Sequence, residues 1–189
     1  MDAPDTAVVV PVKDFRQAKV RLAGELDALA RAELAREMAS IVVRAAAPLP
    51  VVVVCDDEHV RTWAAGEGAE VLWTPGLGLN GAVQAGVAEL ARRGVRTAVV
   101  AHSDLPLATS LGWVAATDGV TLVPDRRLDG TNVLAVPAGV GFRFAYGAGS
   151  YRRHRAEGLR LGLPVRTVRD PRLGWDVDHP GDLVLPAHP

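Results

Sequence analysis

Short runs of β-branched apolar residues alternate along this chain with longer stretches in which apolar residues return every three or four positions. Val8-Val9-Val10 opens the series as a strand buried on both faces, and Pro11 stops it. Leu26, Leu29, Ala30, Leu34, Met38, Ile41, Val42 and Ala45 then form one apolar stripe of a long helix, ended by Pro48 and Pro50. Residues 51–55 predict a second buried strand. Asp56 or Asp57 caps a short helix through Trp63 and Ala64, closed by Gly66 and Gly68. Residues 70–73 predict a brief third strand, 74–81 a loop, 82–93 a helix and 97–101 a fourth strand. Beyond them the pattern predicts a helix over 109–116, a strand over 120–123, a polar turn at 125–129 and a strand over 132–136. A helix from about 149 to 158, a strand near 165–168 and a helical turn over 178–183 complete the chain.

Strand and helix in alternation imply an α/β class fold with right-handed crossovers: a doubly wound, mostly parallel sheet with helices on both faces. The close spacing of the strands at 120–123 and 132–136 points to a mixed sheet. No repeat, linker or low-complexity stretch divides the chain, so residues 1–189 read as a single domain.

Composition narrows the partners. Lys plus Arg (21) nearly balances Asp plus Glu (22), so no global field recruits nucleic acid or a membrane. The lone cysteine, Cys55, excludes an internal disulfide and a Cys-cluster metal site, as expected in a reducing cytoplasm. The acidic start Met1-Asp2-Ala3-Pro4-Asp5 and the short apolar stretch after it do not read as a signal peptide, and no segment approaches the length of a membrane span. A cytoplasmic location is the expectation.

Ligands of an open α/β sheet sit at the carboxyl ends of its strands, near the point where strand order reverses. Three such ends carry polar residues here. After the first strand, Lys13, Arg16, Lys19 and Arg21 fall within nine positions. This basic turn suits a polyphosphate; a solvated turn is the bland alternative. After the fourth strand comes Asp104, which can hold a divalent cation bridging phosphates, or simply cap the turn before Leu105-Pro106. In Trp175-Asp176-Val177-Asp178-His179-Pro180 two carboxylates stand one residue apart and, if extended, point the same way. Asp178 can equally be the N-cap of the last helix, with Pro180 in its first turn. The five histidines lie in no ligand-like spacing, which gives zinc no site.

Two further stretches could meet a ligand. Gly76-Leu77-Gly78-Leu79-Asn80-Gly81 precedes a helix and lets a ligand approach backbone amides, although it is neither a Walker loop nor a dinucleotide fingerprint. Asn80 can read a base or ribose, or cap the helix that follows. Asp129-Gly130-Thr131-Asn132 and Tyr146-Gly147-Ala148-Gly149-Ser150 offer hydroxyls and amides. The second lies at a helix start, where outward-facing amides meet an anion. Thr131 and Ser150 are by default ordinary turn residues.

Across nearly the whole chain these pieces resemble the guanylyltransferases of deazaflavin coenzyme F-420 biosynthesis. The resemblance rests on Pro11-Val12-Lys13 with Lys19-Val20-Arg21-Leu22, Gly78-Leu79-Asn80, Asp104-Leu105-Pro106, Asp129-Gly130-Thr131-Asn132, Tyr146-Gly147-Ala148-Gly149-Ser150 and Asp176-Val177-Asp178. That family attaches GMP from GTP to phosphoenolpyruvate or 2-phospho-L-lactate. It belongs to a wider class of nucleotidyltransferases that includes molybdenum-cofactor guanylyltransferase. The Asp-Leu-Pro piece is shared across that class, whereas the first motif and the last three are specific. Val20 stands where the family usually has Ser or Thr, which touches a hydroxyl contact to phosphate. The resemblance implies a nucleotide-diphospho-sugar-transferase-like fold with Lys13, Lys19 and Arg21 as catalytic residues. It further implies Pro11, Lys13, Gly78 and Asn80 on the nucleotide and Thr131, Gly147 and Ser150 on the phosphorylated three-carbon acid. Asp104, Asp176 and Asp178 would bind Mg²⁺.

The implied chemistry needs no general base. Its nucleophile is the acceptor's phosphate oxygen, ionised near neutral pH because the second pKa of a phosphate ester is about 6. The catalytic load is positioning and charge neutralisation. An association with the Ala- and Arg-rich composition, rather than a physical argument, favours phosphoenolpyruvate over 2-phospho-L-lactate. A nucleotidyltransferase with a sugar-phosphate or molybdopterin acceptor is more remote, because Pro11-Val12-Lys13 replaces the usual glycine-rich, Arg-bearing first loop. A nucleotide-binding module without turnover is the rival from a different class. The expected partners are GTP and a small phosphorylated acid, with no nucleic acid and no membrane. Oligomeric state is open, a homo-oligomer included.

Overall fold

The computed structural model describes residues 4–186. One sheet contains β1 (Thr6–Pro11), β2 (Val51–Cys55), β3 (Glu70–Trp73), β4 (Thr97–Ala101), β5 (Val120–Pro124), β6 (Thr131–Pro137) and β7 (Val165–Thr167), in the order β3-β2-β1-β4-β6-β5-β7. β6 runs antiparallel to β4 and β5, and the other pairings are parallel, so the expected mixed sheet is borne out. Helices α1 (Ala28–Ala45) and α2 (Glu58–Gly66) cover one face; α3 (Gly78–Arg92) and α4 (Ser150–Arg160) cover the other. The unbroken apolar run of β1 follows from this sandwiching. Val8 and Val10 face the α1 and α2 side, while Ala7 and Val9 face α3. α3 lies so close to the sheet that a Cβ on Gly86 would stand 2.9 Å from methyl groups of Val9 and Val54. Strand order reverses between β1 and β4, which opens a crevice at their carboxyl ends. Among the described residues no helix is long and apolar enough to cross a membrane.

Several local expectations differ from the structure. The helix expected over 109–116 is only a 3-10 turn at Gly112–Ala115, pinned where the Leu111 amide donates to Ala45 at the end of α1. The glycine-rich loop is shorter than expected, because α3 begins at Gly78 and Leu79, Asn80 and Gly81 are already helical. Gly76 and Gly78 make that tight entry with φ of 70° and 62°, values that a side chain disfavours. The last turn is a 3-10 helix at Pro180–Leu183 whose N-cap is His179 rather than Asp178.

Candidate active site

The chain leaving β1 is anchored at two apolar points before it enters α1. Phe15 is buried edge-on against Trp63, and Leu22 packs with Met38 and Val177. Between them Lys19 adopts φ 55°, a left-handed conformation uncommon outside glycine. Its side chain is 10% exposed, and its Nζ lies 2.7 Å from Asp104 Oδ2 and 3.3 Å from Asp178 Oδ1. Arg21 reaches Asp178 Oδ2 at 3.5 Å. Burial pushes the Lys19 ammonium toward neutrality, but Asp104 and then Asp178 outweigh it and raise its pKa. Burial likewise opposes the Asp104 charge, and Lys19 with His102 holds that carboxyl below the usual range. Asp176 goes the other way: burial, then the charges of Asp104 and Asp178, raise its pKa.

A separate scaffold sets the C-terminal carboxylates. The buried Asp182 accepts hydrogen bonds from the amides of Asp178 (2.9 Å) and His179 (2.8 Å) and is ion-paired with Arg126. The Arg126 guanidinium also donates to the Asp176 carbonyl at 3.1 Å and lies over the Trp175 ring at 4.1 Å. The Asp178 carboxylate, relieved of capping, turns toward Lys19 and Arg21. Asp104 Oδ1 and Asp176 Oδ1 are buried with no hydrogen-bond partner. Asp104 and Asp178 meet through Lys19, and their charges reach Asp176. Among the described residues no group of three carboxylate, imidazole or thiol side chains is arranged to hold a metal ion. The Lys19 ammonium stands between Asp104 and Asp178 and neutralises both.

Two cavities open beside this cluster. One, of about 590 Å³, is lined by Pro11, Lys13, Lys19, Arg21, His102 and Asp104, among others. The second, of about 470 Å³, shares Pro11 and Lys13 with it and adds Asp56, Thr74 and Gly78. Lys13 is exposed, whereas Arg16 is occupied by Asp14 at 2.9 Å and Asp57 at 3.2 Å and braces the turn. Asn80 neither caps α3 nor leaves its amide free. Its Oδ1 accepts from the Tyr146 amide at 2.6 Å, and its Nδ2 donates to the Tyr146 carbonyl at 3.5 Å.

Thr131, at the start of β6, and Ser150, the first residue of α4, are buried, and Gly147 is exposed three residues before Ser150. The amides at the helix start do not all face outward, as the sequence led one to expect. Gly149 donates to Asp129 Oδ1 at 3.0 Å, Ser150 to the Gly147 carbonyl and Tyr151 to the Asp129 carbonyl. Asp129 therefore folds the 125–131 turn onto α4 and uses up donors that an anion would need.

A family model described as "Guanylyl transferase CofC like" matches residues 6–185. The chain belongs to this family. It is 37% identical to a phosphoenolpyruvate guanylyltransferase of Sphaerobacter thermophilus over 94% of this chain and 90% of that protein. A phosphoenolpyruvate guanylyltransferase of Rubrobacter xylanophilus is 36% identical over 93% and 90% respectively. Among solved structures, a candidate nucleotide-diphospho-sugar transferase of Desulfovibrio desulfuricans G20 shares the fold with a TM-score of 0.75. Its identity is 17%, over 95% of this chain and 85% of that one. The expected family, fold and enzyme class are thereby borne out.

Within this guanylyltransferase fold, sequence reasoning missed three residues of the site region. Arg126 holds the two-aspartate segment in place through Asp182, 56 residues away. His102 follows β4 directly, its Nε2 buried without a partner and its ring 4.8 Å from that of Tyr146. His154 is fully buried and bonded to Thr131. The available signal for His154 was its place four residues after Ser150, hence on the same face of α4.

Proposed function

We propose that this chain transfers GMP from GTP to phosphoenolpyruvate, giving enolpyruvoyl-2-diphospho-5'-guanosine and pyrophosphate, in the biosynthesis of coenzyme F-420. The observation that carries the reading is the Lys19, Asp104 and Asp178 cluster at the strand-order reversal, in a chain of this family. A phosphate oxygen of the acceptor attacks the α-phosphorus of GTP, a new P–O bond forms, and the bond to the β-phosphate oxygen breaks. Pyrophosphate carries the electron pair away. No side chain has to remove a proton, because the attacking oxygen is already ionised near neutral pH.

Each residue then has a role of charge or position. Lys13, Lys19 and Arg21 counter the negative charge that moves onto pyrophosphate. Pro11 and Gly78 shape the nucleotide cavity, and Asn80 serves it by fixing the Tyr146 backbone. Thr131, Gly147 and Ser150 hold the acceptor. Asp104 Oδ1, buried without a hydrogen bond, and Asp176 Oδ1, which has only Arg126 at 3.8 Å, would with Asp178 beside them be the oxygens to hold a hard divalent cation such as Mg²⁺, which needs only one or two carboxylates besides substrate oxygens. Bound there, the cation would supply charge neutralisation at the α-phosphate. GTP and a phosphorylated acid are cytoplasmic metabolites, which suits a cytoplasmic enzyme.

Mass spectrometry of the products formed with GTP and each candidate acceptor tests the reading. The diphosphate-linked guanosine adduct of phosphoenolpyruvate, with stoichiometric pyrophosphate, is expected. An adduct formed only with 2-phospho-L-lactate would transfer the assignment to that acid. Absence of any adduct with either acid would overturn it.

A further inference from the structure

We propose that His154 is a positioning residue which turns the Thr131 hydroxyl into an obligatory hydrogen-bond donor toward the acceptor's anionic group. The inference rests on the acceptor reading given above for Thr131 and adds a residue to it. His154 lies on the inner face of α4 and is 0% exposed, enclosed by the rings of Phe142, Phe144 and Tyr146. The Ala145 backbone amide stands 2.9 Å from His154 Nε2, and an amide N–H can only donate. Nε2 must therefore be the unprotonated nitrogen. In a neutral imidazole the proton then sits on Nδ1, 3.0 Å from Thr131 Oγ1.

The consequence falls on Thr131. A hydroxyl has one proton and two lone pairs, and His154 occupies a lone pair. The proton of Thr131 is thus left for another acceptor. With the opposite tautomer Thr131 would spend its proton on His154 and present only lone pairs to an anion. Ser150 lies one turn earlier on the same face of α4, so His154, which holds Thr131, shares that face with the second hydroxyl of the proposed acceptor site. The 142–146 segment, through Ala145, thereby decides the hydrogen-bonding direction at a residue of another element. A buried imidazole has to satisfy both nitrogens, and here the Ala145 amide fixes which of them donates to Thr131.

Four variants and one spectrum test this. His154→Asn retains a donor near Nδ1 but loses the acceptor for Ala145, whereas His154→Gln places its polar atoms near Nε2 and His154→Leu has none. His154→Gln and His154→Leu should raise KM for phosphoenolpyruvate roughly tenfold or more, the loss of a hydrogen bond to a charged group. KM for GTP should stay unchanged, and His154→Asn should keep the acid's KM within a few-fold of the wild type. Nitrogen chemical shifts of the wild-type imidazole should show Nδ1 protonated and Nε2 bare, a readout that needs no variant to fold.

The protonated nitrogen found at Nε2 would overturn the proposal. So would an acid KM that is unchanged in His154→Gln, or that rises equally in the Asn and Gln variants. Thr131→Val separates this failure from that of the underlying reading. A Thr131→Val variant with an unchanged acid KM overturns both the acceptor site and the role of His154. A raised KM in Thr131→Val beside an unchanged one in His154→Gln overturns the positioning role alone.

Discussion

Lys19 Nζ lies 2.7 Å from Asp104 Oδ2, joining the turn after β1 to the end of β4 across 85 residues of sequence. The pair sits where strand order reverses, and both side chains are largely withdrawn from water. Each keeps the other charged against the pull of burial. Asp178 adds a second carboxylate at 3.3 Å, so Lys19 is held by two elements at once.

Asp104→Asn should lower turnover by roughly three orders of magnitude, a few kcal/mol of charge stabilisation at the reacting phosphates. It should also cost about 2 kcal/mol of stability, because the Lys19 ammonium stays buried with one partner instead of two. Replacing both residues, as Lys19→Met with Asp104→Asn, should restore much of the melting temperature and none of the activity. Pyrophosphate-release assays and thermal melts on the two proteins check this. Near-normal turnover of a folded Asp104→Asn variant would remove the residue from the mechanism.

Lys13 contrasts with Lys19, because it is exposed at the mouth of both cavities. Lys13→Ala should raise the dissociation constant for GTP about tenfold, as expected for a charge-assisted contact to phosphate. Stability should stay within about 0.5 kcal/mol of the wild type. Calorimetric titration with GTP decides the matter, and an unfolded variant with intact GTP affinity would make the turn structural.

Ser150→Ala tests the acceptor side. The serine, the first residue of α4, is 2% exposed and is not among the residues that line the two cavities. Its truncation should weaken acceptor binding by about 1–3 kcal/mol and leave GTP binding unchanged. Equilibrium binding of each ligand to the variant is the measurement, and a loss confined to GTP contradicts the assignment.

What the sequence revealed and what it hid follow from the range of the interactions. β1, β2 and β4 were legible because strands covered on both faces must be apolar at consecutive positions, and Val8-Val9-Val10 has no other good use. The start of α3 was not legible. Gly78 and Gly81 have poor helix propensity, yet Asn80 is tied to Tyr146, 66 residues on. The amides of Gly149 and Tyr151 looked free for an anion only because their partner, Asp129, lies in a separate turn. Lys19, Asp104 and Asp178 were recognisable singly as polar residues at strand ends. Their mutual neutralisation was not, since a left-handed φ at a lysine leaves no mark in composition or spacing.

His154 gives the fold a pH dependence that can be isolated. Burial, with smaller effects from His102 and Arg153 and against the pull of Glu157, pushes its imidazole down to about 4 from its ordinary 6.5. A depressed histidine pKa means that the unfolded chain binds the proton more readily than the native one. Stability from the neutral ring is therefore complete above pH ~6.5 and is lost as pH falls toward ~4, by about 3 kcal/mol. The depressed carboxyls act at lower pH: Glu89 and Glu157, each near 2, lose their contributions as pH falls from 4.5 toward 2. Asp176, whose pKa is raised, works in the opposite sense, because protonation relieves the cost of burying its charge and then its repulsion with Asp104 and Asp178. Comparing the wild type with His154→Gln cancels these carboxylates. Denaturant unfolding at pH 7, 6, 5 and 4 should show a difference in stability that shrinks with acidification, by about 3 kcal/mol across the series. A difference that stays flat would mean that the ring is protonated in the native state, with Ala145 no longer donating to Nε2.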